Sequence, residues 1–266
     1  MKPKTFMLSV LLIIFSIPTY AQINSLSQAI NESGRLRMLS QRIAKTYILS
    51  QLDIQPDKAQ QQFEQSSLLF KSNILQLKQF NSSINQPTIN SYIENIEQIW
   101  RSYSGAFNQP FDGQALSNIL MLSDATMLAS EDLVIQFQAV SNTNSAHLVS
   151  IAGRQRMLSQ RIAKLYSAMS LSDHDPQLSS ELLEAISEFD TALNQLIQSK
   201  RNTHFISYKL KQVSAQWNFS KQGFKSQHNG NSTPLVIAVT TESILQQMDD
   251  ITGLYEEIDQ SSKAAL

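Results

Sequence analysis

The 266-residue chain has no cysteine. Disulfides, thiol nucleophiles and cysteine-held metals are excluded, and the fold rests on burial alone. Glycine and proline are scarce, seven of each, which suits long helices joined by short loops. Charged residues make up only 16% and the net charge is -1. That balance argues against a nucleic-acid partner, which asks for a basic surface. Beyond the N-terminus no stretch could span a bilayer. Leu235 to Val239, the next apolar run, has five residues, against the roughly 20 of a spanning helix. Glycine-rich phosphate loops, nucleophile elbows and metal-binding helix motifs are absent. His147, His174, His204 and His228 form no His-x-x-x-His pair. Asp173-His174-Asp175 reads as a solvated turn, and Asp249-Asp250 and Glu256-Glu257 as a solvated helix face. No catalytic residue, metal site or cofactor is expected.

At the N-terminus, Lys2 and Lys4 precede an apolar run of 12 residues, Phe6 to Ile17. Pro18 breaks the run, and Thr19-Tyr20-Ala21 offers a small-x-small cleavage site. Residues 1–21 read as a secretory signal peptide, with the mature chain starting near Gln22. The expected product is a soluble exported protein in the periplasm.

What the chain has in abundance is helical periodicity and a repeat. Gly34 to Lys45 reads Gly-Arg-Leu-Arg-Met-Leu-Ser-Gln-Arg-Ile-Ala-Lys and returns as Gly153 to Lys164. With Tyr47 and Tyr166 included, 12 of 14 positions are identical at an offset of 119. Around each copy, apolar residues recur at i+3/i+4 spacing in four segments. The first half reads as helices over 23–52, 58–80, 88–107 and from 114 onward, with 81–87 as a loop. The second half repeats this over 147–169, 176–200, 204–224 and 234–266. The expected fold is all-α, two tandem antiparallel four-helix bundles, 22–140 and 141–266. No glycine or proline lies between Gly113 and Gly153, so the spacing favours one continuous helix joining the halves, with a break at the polar run Ser141 to Ser145 as the alternative. Asn229 to Thr233 reads as a flexible loop.

On a helical wheel, Leu36, Leu39, Ile43 and Tyr47 form the core stripe. One flank carries Gly34, Arg37, Gln41 and Ala44, with Ser40 at the core edge; its copy is Gly153, Arg156, Gln160 and Ala163, with Ser159. The opposite flank carries Arg35, Met38 and Arg42, repeated as Arg154, Met157 and Arg161. Six of the chain's eight arginines sit in the two windows. No acid lies between Glu32 and Asp53, nor between Asp132 and Asp173. A buried arginine needs compensation, so its partner is a distant carboxylate (Glu94, Glu97, Glu188 and Asp190 are candidates), a mobile anion or water. A guanidinium beside amide and hydroxyl groups suits a small planar anion.

Ala152 to Arg161, Ala-Gly-Arg-Gln-Arg-Met-Leu-Ser-Gln-Arg, resembles the hallmark of the PilJ-type sensory domain of type IV pilus chemotaxis transducers. Gly34-Arg35-Leu36-Arg37-Met38 is similar to the P-box core of the related NarX-type nitrate/nitrite sensors. The resemblance implies a periplasmic four-helix bundle without catalysis. It places anion binding on Arg37 and Arg156, where two first helices meet, with Gln41, Gln160, Ser40, Ser159, Gly34, Gly153, Arg35 and Arg154 nearby. It implies nitrate or nitrite as the ligand and a membrane sensor kinase or chemoreceptor as the partner, with a homodimer as one way to pair the motifs. The other reading is a ligand-independent interaction module for a chemoreceptor or a type IV pilus component.

Overall fold

The computed structural model describes residues 22–141, 144–172, 175–225 and 234–264. The expected leader at 1–21, Asp173 and His174, and the Asn229–Thr233 loop lie outside them. The described residues form eight helices and no strand: α1 (Leu26–Gln51), α2 (Pro56–Ile84), α3 (Pro87–Ala106), α4 (Gly113–Ser141), α5 (Asn144–Met169), α6 (Pro176–Ile197), α7 (His204–Lys225) and α8 (Pro234–Ala264). The fold is all-α.

Local chemistry sets the helix ends. Ser25 opens α1 by accepting a hydrogen bond from the Gln28 amide at 3.1 Å, as an N-cap serine should. Pro56, Pro87 and Pro176 sit at the starts of their helices, where no backbone N–H is needed. Asp53 and Gln55 take left-handed backbone angles, φ 57° and 47°, to turn α1 into α2. Helix α2 runs past Phe80 through the segment expected as loop. Asn81 is buried there, and its amide donates to Gln86 O at 3.0 Å and Asn90 Oδ1 at 2.7 Å. That bonding keeps the polar stretch helical until Asn85, φ 51°, ends it.

Each half is a bundle of its own. In the first, α1 packs on α2 and α4, and α3 on α4; in the second, α5 packs on α6 and α8, and α7 on α8. A ring pair marks both cores, Phe70 on Trp100 at 4.4 Å and Phe189 on Trp217 at 4.1 Å. The two halves join through α1 and α5, which pack along much of their length. Contacts set their direction. Arg37 reaches Ser150 O, and Lys45 reaches Gln160 at 2.6 Å. Positions rise together along both helices, so α1 and α5 run parallel. Helices α4 and α8 flank this central pair, antiparallel to it.

Of the two readings of the junction, the break is the one that forms, with α4 and α5 as separate helices. Glu131 on α4 meets Arg154 on α5 at 3.2 Å, and Asp124 meets Lys164 at 2.7 Å. In one unbroken helix the second pair would stand about 60 Å apart at 1.5 Å per residue. The chain folds back between Ser141 and Asn144.

Candidate functional site

Helix α1 is enclosed on nearly every side, by α2, α4, α5 and α8. The basic segment is therefore buried almost whole: Gly34, Arg37, Ser40, Gln41, Ala44 and Lys45 are all at or near zero exposure. The second copy matches it, with Arg156, Ser159, Gln160, Ala163 and Lys164 at 0%.

The centre of the seam is a pair of arginines. Side chains on a helix point toward its N-terminus, so each guanidinium lies back over its own glycine, three residues earlier. A Cβ on Gly34 would stand 3.0 Å from Arg37 Nη2 and 3.7 Å from Arg156 Nη2. A Cβ on Gly153 would stand 3.3 Å from both. The two Nη2 atoms are thus no further apart than twice that distance. The glycines make room for guanidinium heads rather than for a neighbouring backbone.

Carboxylates from the flanking helices hold these heads in place. Arg37 Nη1 donates to Glu131 on α4, and Arg156 Nη1 donates to Asp249 on α8. Each acid also takes an arginine from the other half: Arg154 reaches Glu131 at 3.2 Å, and Arg35 reaches Asp249 at 3.4 Å. On their inner sides, Arg37 Nη2 donates to Ser150 O at 3.3 Å, and Arg156 Nη2 donates to Asn31 O at 3.2 Å. Asn31 and Ser150 are equivalent at the offset of 119, so the arrangement has an approximate twofold axis along the seam. Burial pulls both guanidinium pKa values below the ordinary one, against the opposing attraction of Glu131 or Asp249. The Nε of each arginine is buried without an acceptor among the described residues.

A second ionic layer lies about two turns further along. Lys45 donates to Glu242 at 2.8 Å and to Gln160 Oε1 at 2.6 Å. Lys164 donates to Asp124 at 2.7 Å and to Ser123 Oγ at 3.0 Å. Arg42 joins Glu242, and Arg161 stands 4.0 Å from Asp124 and 3.7 Å from Glu181. Here too Glu242 and Asp124 gather cations from the other half of the chain. Burial lowers the pKa of both lysines. For Asp249 and Glu242, burial pushes upward, but the cations outweigh it and the carboxyls end below their usual range. The two layers bring eight cations against six carboxylates, Glu32 and Glu181 included.

The sequence-derived residues separate into groups. Arg37, Arg156, Gly34 and Gly153 meet at one point. Gln41 Nε2 donates to Ser123 O at 3.0 Å, and Gln160 accepts from Lys45, so both amides lie in the lysine layer. Ser40 and Ser159 donate to Arg37 O at 2.7 Å and Arg156 O at 2.8 Å. Their hydroxyl protons are spent on their own helices. Arg35 and Arg154 flank the centre on its outer side, 25% and 45% exposed.

The structure departs from several of the sequence-based expectations. The arginines pair with Glu131, Asp249, Glu242 and Asp124, not with Glu97 and Asp190, which hold Lys78 at 3.2 Å and Lys221 at 2.8 Å. Asp249, its side chain still 44% exposed, is not free on a solvated face but pairs with Arg156 and Arg35, while its neighbour Asp250 pairs with Lys209. Arg35 and Arg42, on the opposite flank, face α8 of the other half, where Asp249 and Glu242 meet them. Asn31, Glu131 and the two lysines were missed. A signal for the acids was present: Asp124 and Glu131 lie one heptad apart, and Glu242 and Asp249 repeat them at an offset of 118.

Among the described residues no group of three or more His, Asp or Glu could hold a metal ion, and no helix is long and apolar enough to cross a membrane. The fold defines an all-α helical-bundle protein. The family profile described as type IV pili methyl-accepting chemotaxis transducer, N-terminal (PilJ), matches residues 19–121 and 138–227, and the chain belongs to that family. The two matched segments fall on the two bundles. The family is a sensory and transducer one rather than a catalytic one, and its domains are typically periplasmic. Searches of the curated proteins and of the solved structures return no match.

Proposed function

We propose that this chain is a soluble periplasmic sensory protein that binds one small oxyanion, nitrate or nitrite first, between Arg37 and Arg156. The observation that carries the reading is the convergence of two fully buried guanidiniums on one point over Gly34 and Gly153. Like charges brought together in a closed seam repel, and an anion between them relieves that repulsion. The unpartnered Nε atoms and the inner Nη2 atoms supply the donors. A planar oxyanion matches the fork of a guanidinium.

The tandem arrangement lets one chain supply both halves of such a site. Occupancy would then shift α1 against α5, and α4 and α8 would follow through Glu131 and Asp249. A chemoreceptor or a membrane sensor kinase is the partner that would read this shift. Calorimetry of the mature chain with nitrate, nitrite and chloride tests the reading. Heat with nitrate or nitrite is expected, and its loss in the Arg37→Ala/Arg156→Ala variant. Absence of heat with every oxyanion, or binding that survives both substitutions, refutes it. Pull-down of a chemoreceptor or pilus component that is indifferent to nitrate would favour the interaction-module reading instead.

A further inference from the structure

We infer that the two arginines are unequal partners in this site, with Arg37 the anchoring cation and Asn31 a positioning residue that holds Arg156 back. The inference rests on the oxyanion reading above. Its ground is the comparison of the two halves, since each serves as the control for the other.

Arg37 Nη2 has one acceptor among the described residues, Ser150 O at 3.3 Å. Arg156 Nη2 has two acceptors for its two hydrogens, Asn31 O at 3.2 Å and Asn31 Oδ1 at 2.7 Å. The side-chain bond is the shorter one, and serine at position 150 makes no equivalent. An incoming anion therefore finds a free hydrogen on Arg37 Nη2 but must displace the Asn31 amide oxygen from Arg156 Nη2.

The surroundings favour the same side. Asn31 Nδ2 donates to Glu256 at 2.7 Å, so a carboxylate fixes the amide with its oxygen toward Arg156. The first half carries Gln138 at the position equivalent to Glu256, and Gln138 donates to Ala146 O at 3.5 Å instead. Glu32, 3.4 Å from Arg35, has Ile151 as its equivalent. Two carboxylates therefore lie toward Arg156 that have no counterpart toward Arg37. Burial pushes the Glu256 carboxyl above its ordinary range, with Glu32 adding to the effect, as expected where negative charge is crowded.

Calorimetric titration of nitrate into the wild type, Asn31→Ser, Ser150→Asn and Glu256→Gln tests this. Each substitution installs the residue the other half carries, and a gain in affinity is not an outcome of structural damage. Asn31→Ser is expected to bind nitrate about tenfold tighter, the worth of one hydrogen bond to a charged group, and Ser150→Asn more weakly than wild type. Glu256→Gln, which leaves residue 31 untouched, is expected to bind more tightly as well and decides the matter if Asn31→Ser does not fold. Wild-type binding with unchanged affinity in all three variants overturns the inequality and leaves the oxyanion reading standing. No nitrate heat in the wild type or in any variant overturns both.

Discussion

Replacing Glu131 by Gln keeps the shape of the side chain and removes its charge. Arg37, whose side chain is 1% exposed, then loses its carboxylate, while Glu131 itself is 24% exposed. Breaking one partner of a fully buried pair costs about 3–5 kcal/mol because the remaining charge stays desolvated. The partial exposure of Glu131, and the hydrogen bond Gln can still accept, reduce this to about 2–3 kcal/mol. For a chain of this size that corresponds to roughly 4–12 °C in melting temperature. The same substitution raises the positive charge of the seam by one, so a bound oxyanion gains in value. Nitrate at about 100 times its dissociation constant adds about 2.7 kcal/mol to the folded state and should restore most of the loss. The assay is thermal melting of wild type and Glu131→Gln in nitrate and in chloride at equal ionic strength. A loss in chloride that nitrate repairs is the expected pattern. A loss below about 0.5 kcal/mol would show that Arg37 is compensated elsewhere. A full loss that nitrate leaves untouched would refute the link between the pair and the anion.

Other substitutions probe the same seam. Gly153→Ala places a methyl 3.3 Å from both Nη2 atoms; the gain of about 1 kcal/mol in helix propensity should show as unchanged or higher stability, while nitrate affinity falls at least about tenfold by titration. In the lysine layer, Asp124→Asn strands the fully buried Lys164 and should cost about 3 kcal/mol in urea unfolding, whereas Lys164→Met removes the buried charge and should be near neutral. A comparable loss from both would contradict the desolvation argument. The pH dependence has a definite sign. Asp249 and Glu242 are held below their usual pKa values of 3.8 and 4.5, so their stabilisation is present above that range. It is lost as pH falls through the depressed folded values, and melting temperature should drop steeply there. Glu256 is shifted the other way, so the folded state binds its proton more readily. Its stabilisation is present below about pH 4.5 and is lost as pH rises through the raised value. Glu256→Gln should therefore gain stability over wild type at neutral pH and show no such gain below about pH 4.

The helices were legible because their signals are local. Apolar spacing located all eight, and the expected starts of α6 and α8 fall on Pro176 and Pro234, where the helices begin. The repeat announced two bundles, and the wheel picked out Gly34 and Arg37 as sharing one flank. Pairing was not legible. The wheel treats a helix as having one buried stripe, but α1 is covered on nearly all sides, so Arg35 and Arg42 also found acids on a neighbouring helix. Those acids come from α4 and α8, and Glu131 lies 94 positions from Arg37. Sequence distance hides such partners, although the repeated heptad of acids carried the clue. The reversal after Ser141 was left open beside a continuous helix, because no glycine or proline marks it. The same reversal lets α5 lie beside α1 and brings Arg156 to Arg37.

The measurement closest to the central claim is the number of nitrate ions bound per chain, by equilibrium dialysis with isotopic nitrate and with protein mass followed by sedimentation. Two motifs meeting within one chain predict one nitrate per monomeric chain, and none when Arg37 and Arg156 are both replaced by Ala. Two independent nitrates per chain, one shared between two chains, or none at all would contradict it.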